Sequence, residues 1–345
     1  FRPITATRSE VCEDRRVSTI NGRVSHWFGE LPAPRPGLPG DLDADVCIVG
    51  AGYTGLWTAY YLKQADPSLS VAVLESRFAG FGASGRNGRW LSGLAPGHRG
   101  LLARRHGRAA VIDWQHALND AVDEVIAVAG REGVDADIVK GGALDVARNR
   151  AQLARLRKQV DEDRSWGDDD ITLLSKDEVA QRVAVVGMLA AAYTPHCARI
   201  QPAKLARGLA EVVERCGAVV YEQTAVTAIT PGHAVTTRGT VRAPIVLRAT
   251  EGFTTRLPGL KRRWLPMNSA MIATDPLPAE VWARIGWQGR ETLGDTAHGF
   301  FYAQRTADDR IAIGGRAVPY RYGSGIDRDG AVGQDTIDYL TGVLN

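Results

Sequence analysis

The sequence predicts an α/β protein in which a parallel, nucleotide-type sheet is interleaved with a second, mixed sheet of mainly antiparallel strands. Three observations carry that expectation. Residues 45–75 read as one strand, turn, helix and second strand. The helix-to-strand rhythm returns after Gln201, and short strands with turn signals between them follow Pro258.

The first unit begins with Val46, Cys47, Ile48 and Val49, an apolar run of the kind buried in a parallel sheet. It ends in Gly50, Ala51, Gly52, Tyr53, Thr54 and Gly55, the spacing G-x-G-x-x-G. In that pattern Gly50 permits the tight turn, Gly52 lets a pyrophosphate approach the backbone, and Gly55 lets helix and strand pack closely. A helix is expected over 54–64, with Leu56, Ala59, Tyr60 and Leu62 apolar and its free N–H groups facing the turn. Asp66 and Pro67 stop it, a strand follows over 70–74, and Glu75 stands at its end, placed to accept hydrogen bonds from ribose hydroxyls. Gly80, Gly82 and Gly85 repeat the bare spacing without a strand before it or a clear helix after it. The context, not the pattern, therefore points to a dinucleotide.

With 345 residues, 44% apolar and 23% charged, the chain has the composition of a soluble globular protein of one large or two smaller domains. The 42 basic and 39 acidic residues leave a net charge of +3, too balanced to argue for nucleic acid or an anionic membrane. Arg104, Arg105, His106 and Arg108 read as a solvated helix start. Cys12, Cys47, Cys197 and Cys216 have no C-x-x-C spacing, so neither a disulfide framework nor a metal site is expected. The most apolar run, 183–192, is too short to span a bilayer, and no signal-peptide pattern is present, which leaves the cytoplasm as the expected location.

Residues 1–40, rich in Arg and Pro, read as an N-terminal arm. The nucleotide domain is expected over 41–140 and 196–257, the second domain over 141–195 and 258–330, and 331–345 as an atypical C-terminal segment. Within the first, residues 77–93 form a glycine-rich loop, and Val111, Trp114, Leu118, Ala121, Val125 and Val128 mark the core face of a long helix. A strand over 143–147, a helix from Arg150, and Ser175 to Glu178 as a capping box open the second domain. A helix over 202–216 closed by Gly217, a strand over 218–221, a hairpin at Arg238 and Gly239, and a buried strand over 245–249 resume the first. Beyond Pro258, strands are expected over 265–274, 300–305 and 310–314, as a separate sheet.

Four motifs in order then resemble a known family: Gly50-Ala51-Gly52-Tyr53-Thr54-Gly55-Leu56, Ala83-Ser84-Gly85-Arg86-Asn87-Gly88, Tyr193-Thr194-Pro195-His196-Cys197-Ala198-Arg199-Ile200-Gln201-Pro202, and Ile313-Gly314-Gly315-Arg316. Together, over 25–330, they look like an FAD-dependent oxidoreductase of the D-amino-acid oxidase and glycine oxidase family, most like its gamma-glutamylputrescine oxidase branch. The resemblance implies a Rossmann-like FAD-binding domain interleaved with a mixed antiparallel-sheet substrate domain. It implies FAD with its pyrophosphate over 50–55, including Tyr53 and Thr54, its ribose on Glu75 beside Ser76, and its adenine near Val226. Thr250 and Gly252 would close over that part, and Ala83, Ser84, Gly85, Arg86, Asn87 and Gly88 would run beside the flavin. Arg89 stands where family members commonly carry glycine. Family members also continue past the length of this chain, so the resemblance implies that the C-terminal part is missing, and the lack of an initiator Met implies a fragment or processed form.

The implied reaction is oxidation of a small amine or amino acid by hydride transfer to flavin, giving an imine that hydrolyses, with oxygen or another acceptor reoxidising the flavin. No side-chain base is obligatory. For the substrate face, the expected residues are His298, Tyr302 as a hydroxyl at the pocket wall, and Arg316 as a carboxylate clamp. Two other readings stay open: a pyridine-nucleotide reductase, because Glu75 also suits NAD, and a non-catalytic remnant that holds FAD poorly.

Overall fold

The computed structural model describes residues 20–31, 33–88, 90–315, 326 and 329–344. Its first sheet has four parallel strands in the order Ile245–Arg248, Val46–Val49, Val71–Leu74 and Val219–Tyr221. Successive side chains of a strand point to opposite faces, and both faces here are covered. Val46 and Ile48 pack with Leu56, Ala59 and Tyr60 of the helix Tyr53–Ala65 and with Leu209, Val212 and Val213 of the helix Pro202–Arg215. Cys47 and Val49 pack the other way, onto Leu38, Ala234 and Val241 beneath a four-stranded meander built from Leu42–Asp43, Val226–Thr230, His233–Thr236 and Gly239–Arg242. The helix Pro202–Arg215 starts with proline where no N–H is needed. The Gln201 side chain accepts from Lys204 N–H at 2.9 Å, and Gly217 follows the helix end at φ +91°.

The second sheet has seven strands in the order Ala270–Ala273, Ile311–Gly315, Phe301–Arg305, Thr292–Asp295, Ala143–Ala147, Ala190–Thr194 and Thr172–Ser175. Every neighbouring pair is antiparallel except Thr292–Asp295 with Ala143–Ala147, which run parallel. That junction joins the strands before residue 195 to those after Pro258 in one mixed sheet, separate from the parallel one. One face carries Leu144, Val146, Leu293, Phe301, Ala303 and Ile313 into a core with Trp282, Trp287 and Leu340. The opposite face is left for the site described below.

The predicted capping box is present: Ser175 N–H donates to Glu178 Oε2 at 2.7 Å, and Glu178 N–H to Ser175 Oγ at 3.4 Å. Ser175→Ala is expected to lower stability by about 1 kcal/mol, read as a shift in urea midpoint at unchanged slope; no shift would show that the cap contributes nothing.

Other expectations are corrected. Ile245–Arg248 lies at a sheet edge with Ile245 59% exposed, so it is not a buried strand. Leu265 is an exposed loop residue ahead of the strand Ala270–Ala273. Arg104, Arg105 and His106 end the helix Arg99–His106, and only Arg108 starts the next one. On that helix, Arg108–Arg131, the buried side chains are Val111, Gln115, Val122, Val128 and Ala129, while Ala121 is exposed. Gln115 turns inward because its amide donates to Gly93 O and Asn119 Oδ1, at 2.7 and 2.9 Å. The arm packs through Trp27, Phe28 and Leu38, all buried, and Arg35 N–H donates to the Glu222 carboxylate at 2.8 Å.

Candidate cofactor and substrate site

At the first turn the three glycines answer to specific contacts. Gly50 has φ +111°, and a Cβ there would lie 2.4 Å from Ala249 O. A Cβ on Gly55 would lie 2.0 Å from Gly50 O. Above Gly52 the nearest atom is Ser84 Oγ, 2.9 Å from where a Cβ would stand, and the same hydroxyl accepts Tyr53 N–H at 2.9 Å. The open N–H at the start of the helix is thus met by the glycine-rich loop, at a place suited to an anion's oxygen. Thr54 lies in the same helical turn, its carbonyl accepting from Thr58 Oγ1 at 2.7 Å. The Tyr53 hydroxyl donates to Pro202 O at 3.0 Å.

Glu75 ends its strand half-buried. Its carboxylate accepts from Ala51 N–H at 3.1 Å, Arg77 N–H at 3.0 Å and the Ser76 hydroxyl at 3.2 Å. Burial raises its pKa, with the neighbouring Glu222 adding to the rise and the hydrogen bonds opposing it. On the other side of the turn, Ala249 N–H donates to Val49 O at 2.8 Å, which brings Thr250 and the buried Gly252 alongside. Thr250 Oγ1 bonds Thr254 Oγ1 at 2.7 Å. Val226, half-buried, begins the meander strand Val226–Thr230.

The second glycine pattern copies the first in miniature. A Cβ on Gly85 would lie 2.3 Å from Gly80 O, and Ala83–Gly85 forms one turn of 3₁₀ helix. Asn87 Nδ2 donates to Ser84 O at 2.7 Å, and Trp27 Nε1 to Asn87 O at 3.2 Å. Arg86 stacks over Phe81, 4.9 Å from the ring centre. The loop then meets the second sheet, because the space a Gly88 Cβ would fill is bounded by the Tyr302 ring at 2.7 Å.

Tyr302 is wedged. On its other side a Gly314 Cβ would come within 2.4 Å of the ring, and its hydroxyl bonds Ser269 Oγ at 2.6 Å. Gly314, Tyr302, Gly294, Asp145 and Ala192 stand opposite one another on successive strands and so share a face. Above this row lies a two-stranded ribbon, Trp90–Ser92 paired with Cys197–Arg199. The Trp90 ring meets Tyr302 edge-on at 6.4 Å and bounds the space above Gly294, as does Asp145 Oδ1, which lies 2.6 Å from an ideal Gly294 Cβ. Burial pushes the Asp145 carboxyl up to about 6, helped by the charges of Asp295 and Asp163. Gln304, next along Tyr302's side of its strand, is 0% exposed; its Nε2 donates to Gly88 O at 3.5 Å, and Oε1 has no partner among the described residues. Trp90 Nε1 likewise has none.

The structure therefore brings the turn, Glu75, the 83–88 loop and Tyr302 together. His298 is exposed in the turn before Phe301–Arg305, beside Gly299, whose carbonyl accepts from Tyr339 at 2.9 Å; among the described residues the Tyr302 hydroxyl bonds Ser269, not His298. Arg89 and Arg316 lie outside the described residues. His196 is tied to Asp170 at 2.8 Å. Asp145, Trp90 and Gln304 join the site from outside the expected set; the signal for Asp145 is a lone carboxylate inside the apolar run Ala143-Leu144-Asp145-Val146-Ala147. The glycine cradle, the N–H at the helix start and the carboxylate at the strand end suit the pyrophosphate and ribose of FAD.

Residues 45–345 match the model of a family described as FAD dependent oxidoreductase, a match that includes the 331–345 segment set apart above. The chain is similar to gamma-glutamylputrescine oxidoreductase of Escherichia coli (strain K12), with 31% identity over 291 residues, 83% of this chain and 67% of the relative. A probable oxidoreductase OrdL of Rhizobium meliloti (strain 1021) is 28% identical over 303 residues, 84% of this chain and 68% of its own. The chain thus spans about two thirds of the length of these relatives. Among solved structures, glycine oxidase from Bacillus cereus ATCC 14579 shares the fold at a TM-score of 0.67 and 20% identity, covering 87% of this chain and 78% of that one.

Proposed function

The chain belongs to the FAD-dependent oxidoreductase family, and from that premise we propose that it oxidises a small amine or amino acid at the carbon bearing the nitrogen. Bound FAD would supply the two-electron acceptor for a hydride from that carbon; the imine product would be hydrolysed by water, and oxygen or another acceptor would reoxidise the cofactor. The carrying observation is the contact of Gly88 with Tyr302, because it makes the loop beside the cofactor cradle and the free face of the second sheet one continuous surface.

In this reading the backbone of 50–55 and Tyr53 N–H hold the pyrophosphate, and Glu75 with Ser76 takes the ribose. Val226, Thr250 and Gly252 line the adenosine end. The Ala83 to Gly88 loop runs along the flavin, with Arg86 and Asn87 as donors. Tyr302, held between two glycines, forms a fixed wall that positions substrate and keeps water out. The likeness to gamma-glutamylputrescine oxidoreductase supports an amine, in place of an α-amino acid, as substrate. The free thiols of Cys47, Cys197 and Cys216 support a reducing compartment such as the cytoplasm.

The test is the visible spectrum of the purified chain incubated with FAD and desalted, then titrated without oxygen with amines and amino acids. A bound flavin that bleaches is expected. Failure to retain flavin, or stoichiometric NADH binding in its place, would overturn the reading.

A further inference from the structure

The face between Tyr302 and Asp145 carries an unusual combination of groups. On the row, Gly294 stands between Tyr302 and Asp145 and adds no side chain, while the Trp90 ring and Asp145 Oδ1 border the space above it. At the far end is a half-buried carboxylate. The acids around it already have counter-ions: Asp295 pairs with Arg148 at 3.4 Å, and Asp163 with Arg99 at 3.1 Å. Asp145 has none. Among the described residues neither a cation nor a hydrogen-bond donor opposes its desolvation, and the Cys197 thiol of the ribbon, which feels its charge, is itself pushed up to about 11 by burial. An aromatic slot closed by an unpaired carboxylate has the chemistry of an ammonium site.

We propose that Asp145 is a specificity-determining residue that receives a second, non-reacting ammonium of the substrate, so that the enzyme prefers amines with a cationic nitrogen at the far end over simple alkylamines. The reacting nitrogen is a poor candidate for this contact. A carboxylate against it would hold it protonated, whereas its lone pair must be free for the adjacent C–H bond to leave as hydride. The inference rests on the amine-oxidising function proposed above.

The carboxylate costs the folded chain stability. Its folded pKa lies above the value of an unfolded Asp, so the folded state binds the proton more tightly, and stability falls as pH rises through the interval from the ordinary value to about 6. Asp145→Asn is therefore expected to melt higher than the parent at pH 7.5 and level with it near pH 4, in the absence of substrate. A purely structural carboxylate would give the opposite result.

The experiment compares straight-chain α,ω-diamines with monoamines of matching length, by anaerobic flavin bleaching and steady-state rates. In the parent, kcat/KM is expected to favour the diamine on the order of 100-fold, with the difference in KM. The ratio should fall as pH drops below about 6 and Asp145 is protonated, while titration of the reacting amine cancels between the two substrates. In Asp145→Asn the ratio should collapse to within about tenfold. If that variant does not fold, the pH dependence of the ratio in the parent decides alone. Bleaching by diamines and monoamines with equal KM would overturn the inference and leave the oxidase reading standing. Bleaching by no amine would overturn both.

Discussion

Gly55→Ala is expected to weaken FAD retention on the order of 100-fold or more and to lower stability by roughly 4 kcal/mol. The added Cβ would stand 2.0 Å from the carbonyl oxygen of Gly50 and 3.1 Å from Ile48 Cγ2. Neither neighbour can step aside cheaply. Gly50 is itself pinned, at φ +111° with Ala249 O behind it, and Ile48 is fully buried in the parallel sheet. Relief must come from helix Tyr53–Ala65 moving off the sheet, which carries away Tyr53 N–H and opens the core around Leu56 and Ala59. Flavin-to-protein absorbance after desalting reads the first effect and urea unfolding the second. Parent-like values in both would show that the turn tolerates a side chain and is not a close-packed cradle.

Glu222→Ala comes next, with an expected loss of about 3 to 5 kcal/mol. The Glu222 side chain is 1% exposed and satisfies three donors: Arg35 N–H at 2.8 Å, Ala79 N–H at 2.9 Å and the Arg35 guanidinium at 3.1 Å. Removing it strands two backbone N–H groups and leaves Arg35, among the described residues, with the more exposed Glu214 as its ion-pair partner. The adjoining backbone is tied to the site, since Thr224 N–H donates to Glu75 O at 2.8 Å and Gln223 N–H to Arg77 O at 3.2 Å. The urea midpoint should drop sharply. A loss below about 1 kcal/mol would mean that water replaces the carboxylate without penalty.

What could be read from the sequence was local. The 45–75 unit is legible because its turn, helix and strands are consecutive and each glycine has a stereochemical reason to be there. Tyr302 is legible as one position in an alternating strand. Its wedging is not, because Gly88 and Gly314 approach it from distant parts of the chain. The same limit hides the joining of Thr292–Asp295 to Ala143–Ala147, for no periodicity records which strand a strand will pair with. The face of helix Arg108–Arg131 was misjudged for a different reason. Hydropathy puts glutamine outside, but Gln115 finds its partners inside. Asp145 was overlooked because a strand reading weighs the four apolar neighbours and passes over the one charge.

The parallel junction has a consequence for the order in which the molecule assembles as it leaves the ribosome. Ala143–Ala147 emerges long before Thr292–Asp295, and Val46–Val49 waits similarly for Ile245–Arg248. Neither sheet can close until the later stretch has been synthesised, so a nascent chain carries apolar strands with open edges for much of its translation. Such non-local pairing slows folding and exposes the chain to aggregation. Expression yield therefore depends on how long the early strands stay shielded, a property set by chain connectivity and not by the final stability of the fold.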